Sequence, residues 1–177
     1  KPNTENQYAQ LVIDYLNAIK GTEGFIYQHY SVGGTKDIEI PRLYYRDDNA
    51  KKIDAIRDLI EAWRQLAFIN EYEFFILLYA LLDEASNCSN TTGTMSSFLK
   101  TWGSRALRPL KLQLPAVTPS NLIHEVYCQN SLQLLEQLTL VDILYLDPPY
   151  TGAQYATSYH VLETIARGNC DEVSGVG

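Results

Sequence analysis

VDILYLDPPY, residues 141–150, is the stretch that decides the expected fold. Its first six residues are apolar and β-rich almost without interruption, which is how a central parallel strand covered on both faces reads. Just upstream, 124–128 reads as another strand and 131–138 as a short helix. Strand, helix, strand in that order gives a right-handed βαβ unit. In open α/β sheets ligands bind outside the carboxyl ends of the strands. The tetrad Asp147, Pro148, Pro149 and Tyr150 falls at such an edge.

The chemistry of that tetrad is specific. The Asp147 carboxylate offers about four lone-pair sites. Pro148 lacks an N–H but keeps its carbonyl acceptor, and two consecutive prolines stiffen the turn. Tyr150 adds a flat ring. Two rigid acceptors beside an aromatic plate suit a planar ring with an exocyclic amino group. The carboxylate and the Pro148 carbonyl take its two N–H bonds while the ring stacks on Tyr150, a contact worth about 1–3 kcal/mol. Those bonds draw the amino nitrogen toward tetrahedral geometry and free its lone pair for attack. The blander reading is that Asp147 caps a turn and the prolines end a strand. DPPY arises by chance in roughly one in a thousand chains of this length. No GxSxG and no paired Cys and His offer a nucleophile.

Length and composition set the frame. The 177 residues suggest one domain or most of one. Apolar residues at 46% and charged residues at 20% are ordinary for a globular chain. The longest apolar run, 74–82, is too short to span a bilayer, and no secretory signal opens the chain. Cys88, Cys128 and Cys170 form no CxxC pair, which fits reduced thiols in a cytoplasmic protein and no metal site. The net charge of -7 argues against a simple nucleic-acid binder. Yet no acid occurs between Glu84 and Glu125, where Lys100, Arg105, Arg108 and Lys111 lie, so that stretch could face phosphate or could be chance. The chain starts at Lys1 and closes on VSGVG, as expected of a piece of a longer protein.

Further out, helices dominate. Residues 6–20 and 158–166 read as helices, and 24–30 as a short strand or extended segment. In 48–67, Ile53, Ile56, Leu59, Ile60, Trp63 and Leu66 recur at three- and four-residue steps, the mark of an amphipathic helix. Residues 71–85 are apolar nearly all round and read as a buried helix. Residues 87–97 read as a polar loop, and 109–119 as extended. His160 near the tetrad reads as structural, since an amino nitrogen can attack through its lone pair and release its proton late, with no base required. His29 and His124 have no metal-ligand spacing with the cysteines. Trp63 and Trp102 read as packing residues.

DILYLDPPYTGAQYATSYHVLETIA resembles motif IV and its downstream helix in the alpha-group adenine-N6 DNA methyltransferases, the family of the Dam and FokI-type methylases. RLYYRDDNAKKIDAIRDLIEAW and NTTGTMSSFLKTW are similar to the FokI-type branch, so the resemblance runs roughly from Gly24 to Ala166. It implies methyl transfer from S-adenosylmethionine to N6 of an adenine flipped out of duplex DNA and held by Asp147, Pro148 and Tyr150. It also puts Asp147 near the methionine end of the cofactor. Asn130 stands where relatives carry an acid near the cofactor's adenine. Asn90, Thr91, Thr92 and Gly93 would line the approach to the site, with Lys100, Arg105, Arg108 and Lys111 on backbone phosphate.

The family's FxGxG loop and its ribose-binding acid are absent, so the piece alone is expected to bind cofactor poorly. The expected architecture is an α/β, partial Rossmann-like methyltransferase core, 1–20 and 121–177, interrupted by a mostly helical DNA-recognition segment, 21–120. The expected parent is a monomeric restriction–modification methylase acting on double-stranded DNA. An RNA base-amino methyltransferase and an inactive nucleic-acid-binding remnant are the alternatives.

Overall fold

In the computed structural model, which describes residues 4–118, 120–138, 140–148, 152, 155–168 and 173, the apolar stripe of 48–67 becomes a helix at Asp47–Gln65. The described helices are α1 (Thr4–Ala18), α2 (Phe25–Tyr30), α3 (Asp47–Gln65), α4 (Glu71–Asn87), α5 (Ser131–Gln137) and α6 (Tyr155–Arg167). The chain divides into two units. The first is 1–115 with 154–177, and the second is 116–153.

The first unit is built around α3. Ile53, Ile56 and Ile60 are fully buried on one face, each worth about 1.5–3 kcal/mol of apolar burial. That face packs against α2 and α4, and α4 packs against α6. Helix α4 starts at a capping box in which the Asn70 side chain accepts from Glu73 N while Glu73 reaches back to Asn70 N. It buries Phe74, Leu77, Leu78 and Leu81. Tyr44 and Tyr45 fill the centre, with Val161 and Ile165 of α6 in the same cluster.

The polar residues of α3 each hold a different piece of chain. Asp47 accepts from Gly33 N at 2.8 Å. Asn49 accepts from Leu110 N and donates to Arg108 O, both at 2.8 Å. Lys52 donates to the carbonyls of Asn17 and Ile19 at the end of α1. Arg57 donates to Ile165 O at 2.8 Å and to Ala166 O and Arg167 O at 3.2 Å. Those are among the carbonyls a helix leaves orphaned at its carboxyl end. From α1, Asn17 accepts from Leu112 N and donates to Leu112 O. The two asparagines thus pin the segment after Pro109, where Leu110 and Leu112 are buried and Lys111 is exposed.

Residues 24–30, expected as a strand or extended segment, form helix α2 instead. The cause lies elsewhere in the chain. Asp54 of α3 accepts from Ile26 N at 2.8 Å and Tyr27 N at 2.9 Å, placing a carboxylate at the start of the short helix. The loop after α2 closes tightly over it: a Cβ at Gly34 would lie 2.0 Å from the Tyr27 carbonyl oxygen.

The second unit differs from expectation more sharply. Residues 131–137 are helical as α5, but neither 124–128 nor 141–146 forms a strand. Among the described residues, β pairing is confined to two single bridges, Ser31 with Tyr45 and Thr91 with Phe98. The Rossmann-like core is therefore not seen in the described residues, which are mostly helical. A strand must hand its N–H and C=O groups to neighbours, and an apolar one must be covered on both faces. The described residues of this unit supply a seven-residue helix with nothing buried. Val126 is 97% exposed, Leu140 96% and Ile143 86%.

Candidate functional site: a pinned loop and the DPPY segment

The loop that follows α4 is polar, as expected. Its base is buried. Cys88, Ser89, Asn90 and Thr91 lie inside, and Asn90 is only 1% exposed. Asn90 N donates to Tyr44 O at 2.8 Å, and Asn90 O accepts from Leu99 N at 2.8 Å. The Asn90 side chain donates to Leu99 O at 3.0 Å and accepts from Gly103 N at 2.9 Å. Ser89 and Thr91 hydroxyls bond each other at 3.0 Å. The loop is a pin closed by the antiparallel Thr91–Phe98 bridge.

Its tip is anchored midway. Met95 is buried, its N donates to Ser158 O at 2.7 Å, and its carbonyl accepts from the Tyr44 hydroxyl at 3.0 Å. On either side Thr92, Gly93, Thr94, Ser96 and Ser97 are exposed. Gly93 adopts φ +122° with no atom within 4 Å of a Cβ placed on it, so the backbone conformation, not crowding, calls for glycine there. Helix α6, which follows the DPPY segment in sequence, thus holds the pin through its first turn.

Two of the four cations, Arg105 and Arg108, reach the base. Lys100, Arg105, Arg108 and Lys111 are exposed. An Arg105 Nη2 donates to Thr91 O at 3.4 Å and approaches Ser89 Oγ at 3.5 Å, and Arg108 donates to Asn87 O at 3.2 Å. Glu84 lies near Arg108, and its carboxyl is pushed up by burial against the pull of that guanidinium. His160 packs its ring near Tyr30 and edge-on to Tyr44, with Nδ1 3.0 Å from Thr157 O. That is a packing role, as its sequence context suggested. Tyr44, which braces Met95, carries no signal in the sequence that sets it apart from the other twelve tyrosines. Its phenol is pushed up to about 12, mostly by burial.

The remaining candidate residues belong to the second unit. Asp147 and Pro148 are exposed on an irregular segment. Pro149 and Tyr150 lie outside the described residues, so the stacking plate of the tetrad has no described geometry. Asn130 caps α5, accepting from Leu132 N at 3.0 Å and Gln133 N at 3.4 Å. Among the described residues, no group of three or more His, Cys, Asp or Glu could hold a metal ion, and no helix is long and apolar enough to cross a membrane.

Residues 3–176 match a single family, and the chain is a member of the D12 class N6 adenine-specific DNA methyltransferases. It is 39% identical over 155 residues to the type II methyltransferase M.NlaIII of Neisseria lactamica, covering 88% of this chain and 45% of that one. To the type II methyltransferase M.FokI of Planomicrobium okeanokoites it is 40% identical over 134 residues, 76% of this chain and 21% of the relative. To the modification methylase LlaI of Lactococcus lactis subsp. lactis it is 35% identical over 175 residues, 96% and 27%. The chain spans less than half the length of these relatives. No solved structure matches it.

The family's chemistry calls for a methyl donor. The described residues do not by themselves form a cradle for one. The Asn130 side-chain oxygen is taken up by the amides of α5, and Asp147 stands exposed on a segment with no strand beneath it.

Proposed function

We propose that this chain is part of a site-specific DNA methyltransferase of a restriction–modification system, which moves a methyl group from S-adenosylmethionine to N6 of a flipped-out adenine in double-stranded DNA. Asp147 and the Pro148 carbonyl hold the amino group, Pro149 stiffens the corner and Tyr150 stacks on the base. Asp147 and Asn130 border the cofactor once neighbouring strands order the segments that carry them. In the whole protein, 124–128 and 141–146 join a Rossmann-like sheet, 1–20 and 121–177 serve as catalytic core, and 21–120 serves DNA recognition. Asn90 and Thr91 brace the recognition loop from its buried base, Thr92 and Gly93 face the DNA, and Lys100, Arg105, Arg108 and Lys111 meet phosphate. The protein works as a cytoplasmic monomer.

One observation supports this reading above others. The pin and the helix that follows DPPY are joined by the Met95 N to Ser158 O bond. That bond makes the loop and the helix after the tetrad parts of one folded unit.

Tritiated methyl transfer tests it. The 177-residue chain is expected to label neither DNA nor RNA. A chain extended to the length of its relatives is expected to label adenine in duplex DNA, and Asp147→Ala in that longer chain to lose about a hundredfold or more, as when a preorganised acceptor or donor is removed from a reacting centre. Labelling of RNA in place of duplex DNA would assign the other base-amino chemistry. No labelling by the longer chain would leave an inactive nucleic-acid-binding remnant.

A further inference from the structure

The sequence of α4 is apolar nearly all round, and a helix of that kind is a buried one. The fold buries only part of it. Phe74, Leu77, Leu78 and Leu81 turn toward the core, where α4 meets α3 and α6. On the other side Tyr72, Phe75 and Tyr79 are 58–83% exposed, and Ile76 lies beside them in the open. These residues recur at three- and four-residue steps, so they form one stripe along the helix. The turn that leads into α4 adds Leu66 and Phe68, both exposed. Scattered exposed apolar residues are ordinary, but six large ones on one helix and its entry turn mark an interaction face.

The charge on the same helix narrows what covers that face. Helix α4 carries Glu71, Glu73, Asp83 and Glu84 and neither lysine nor arginine. Among the described residues only Glu71 of these four forms an ion pair, with Arg64 at 3.6 Å. The surplus of negative charge repels phosphate, so the face does not suit DNA. Two α4 helices laid together would set acids against acids, which disfavours a second copy. A cover with apolar side chains and a basic edge fits both features. The chain spans less than half the length of its relatives. The remainder of such an enzyme, being covalently joined, meets this helix at high effective concentration.

We infer that the face of α4 formed by Tyr72, Phe75 and Tyr79 seats a segment of the whole methyltransferase that lies outside residues 1–177, one that presents apolar side chains rimmed by lysine or arginine. Because α4 runs directly into the base of the pin at Cys88, docking on this face anchors the root of the pin to the rest of the enzyme. The inference rests on the function proposed above only in taking the chain as part of a longer methyltransferase, and it adds the surface through which the parts join.

Hydroxyl-radical footprinting tests it on two proteins, the 177-residue chain and the chain extended to the length of its relatives, each read by peptide mass mapping. Tyr72, Phe75 and Tyr79 are expected to be oxidised readily in the short chain and severalfold more slowly in the long one. Phe75→Glu/Tyr79→Glu is expected to leave the urea midpoint of the short chain where it was, since both side chains are exposed there. In the long chain the same pair is expected to lower the midpoint and to restore oxidation of Tyr72. Asp83→Lys, which sets a cation against a basic rim, is expected to lower the midpoint of the long chain alone, and an unchanged midpoint there would overturn the rim. Equal oxidation of the three residues in both proteins would overturn the docking face. So would a short chain that sediments as a dimer with those residues protected, since a second copy would then be the cover. A long chain that methylates adenine while Tyr72 and Tyr79 stay reactive would keep the proposed function and overturn the docking face. A long chain that protects them yet transfers no methyl group would do the reverse.

Discussion

At the scale of single residues, Asp54 shows what burial does to a useful carboxylate. It caps α2, yet burial pushes its carboxyl up to about 6, against the opposing pull of the Tyr27 and Ile26 amides and with help from Asp58. Its folded value lies above the ordinary carboxyl value of 3.8. Between the two values the folded chain binds more protons than the unfolded one, so this group raises stability as pH falls through about 6 toward 4. Above about 6 the buried charge exerts its full destabilising effect. Asp54→Asn keeps one acceptor and removes the charge, and urea unfolding at pH 5 and at pH 7.5 is expected to show a smaller difference in that variant than in the parent. Asn90→Ala removes two side-chain bonds at the base of the pin, and is expected to cost about 1–3 kcal/mol in the same measurement. The thiols separate as cleanly. Cys88 is buried and its thiol is pushed up to about 12, while Cys128 is exposed. A thiol reagent followed by peptide mapping should label Cys128 in the native chain and Cys88 only on unfolding.

At the scale of elements, the sequence is legible where a helix makes its own case. The stripe from Ile53 to Trp63 and the apolar surface of 71–85 announce α3 and α4, because a repeat of 3.6 residues is a local property. Helix α2 is not legible, because the group that starts it is Asp54, roughly thirty residues further on. The loop at 87–97 reads as polar from its Asn, Ser and Thr, but the burial of its base is not legible, because their hydrogen bonds are made inside the loop and burial costs little. The segment 141–146 fails for the opposite reason. A strand is a relation between segments, and its residues state a preference that neighbours must complete. Of the candidate site, DPPY and its flanking helix are legible as a motif, while the bracing of the pin by Tyr44 and Met95 is not. Hydrogen exchange should therefore separate the elements. Amides of α3 are expected to be the slowest, and those of 121–128 and 141–146 to exchange nearly as fast as in a free peptide.

At the scale of the whole molecule, cooperativity resides in the first unit. Its core draws on α1, α2, α3, α4 and α6 at once, so removing any one of these helices exposes surface on the others. The described residues of the second unit bury almost nothing. The urea m-value reports surface exposed on unfolding. It is expected to match the first unit alone, with a single transition seen by Tyr and Trp fluorescence. A second transition, or an m-value suited to all 177 residues, would show that 116–153 holds structure of its own.

The three asparagine clamps also set how this protein ages. Asn17, Asn49 and Asn90 each present an amide NH2 to a carbonyl and an amide oxygen to an N–H. Hydrolysis of any of these amides to a carboxylate would turn the donor half into a second acceptor. Two oxygens would then face each other across the carbonyls of Leu112, Arg108 or Leu99. Slow deamidation during storage would thus loosen the extended segment or the pin while leaving the helices folded.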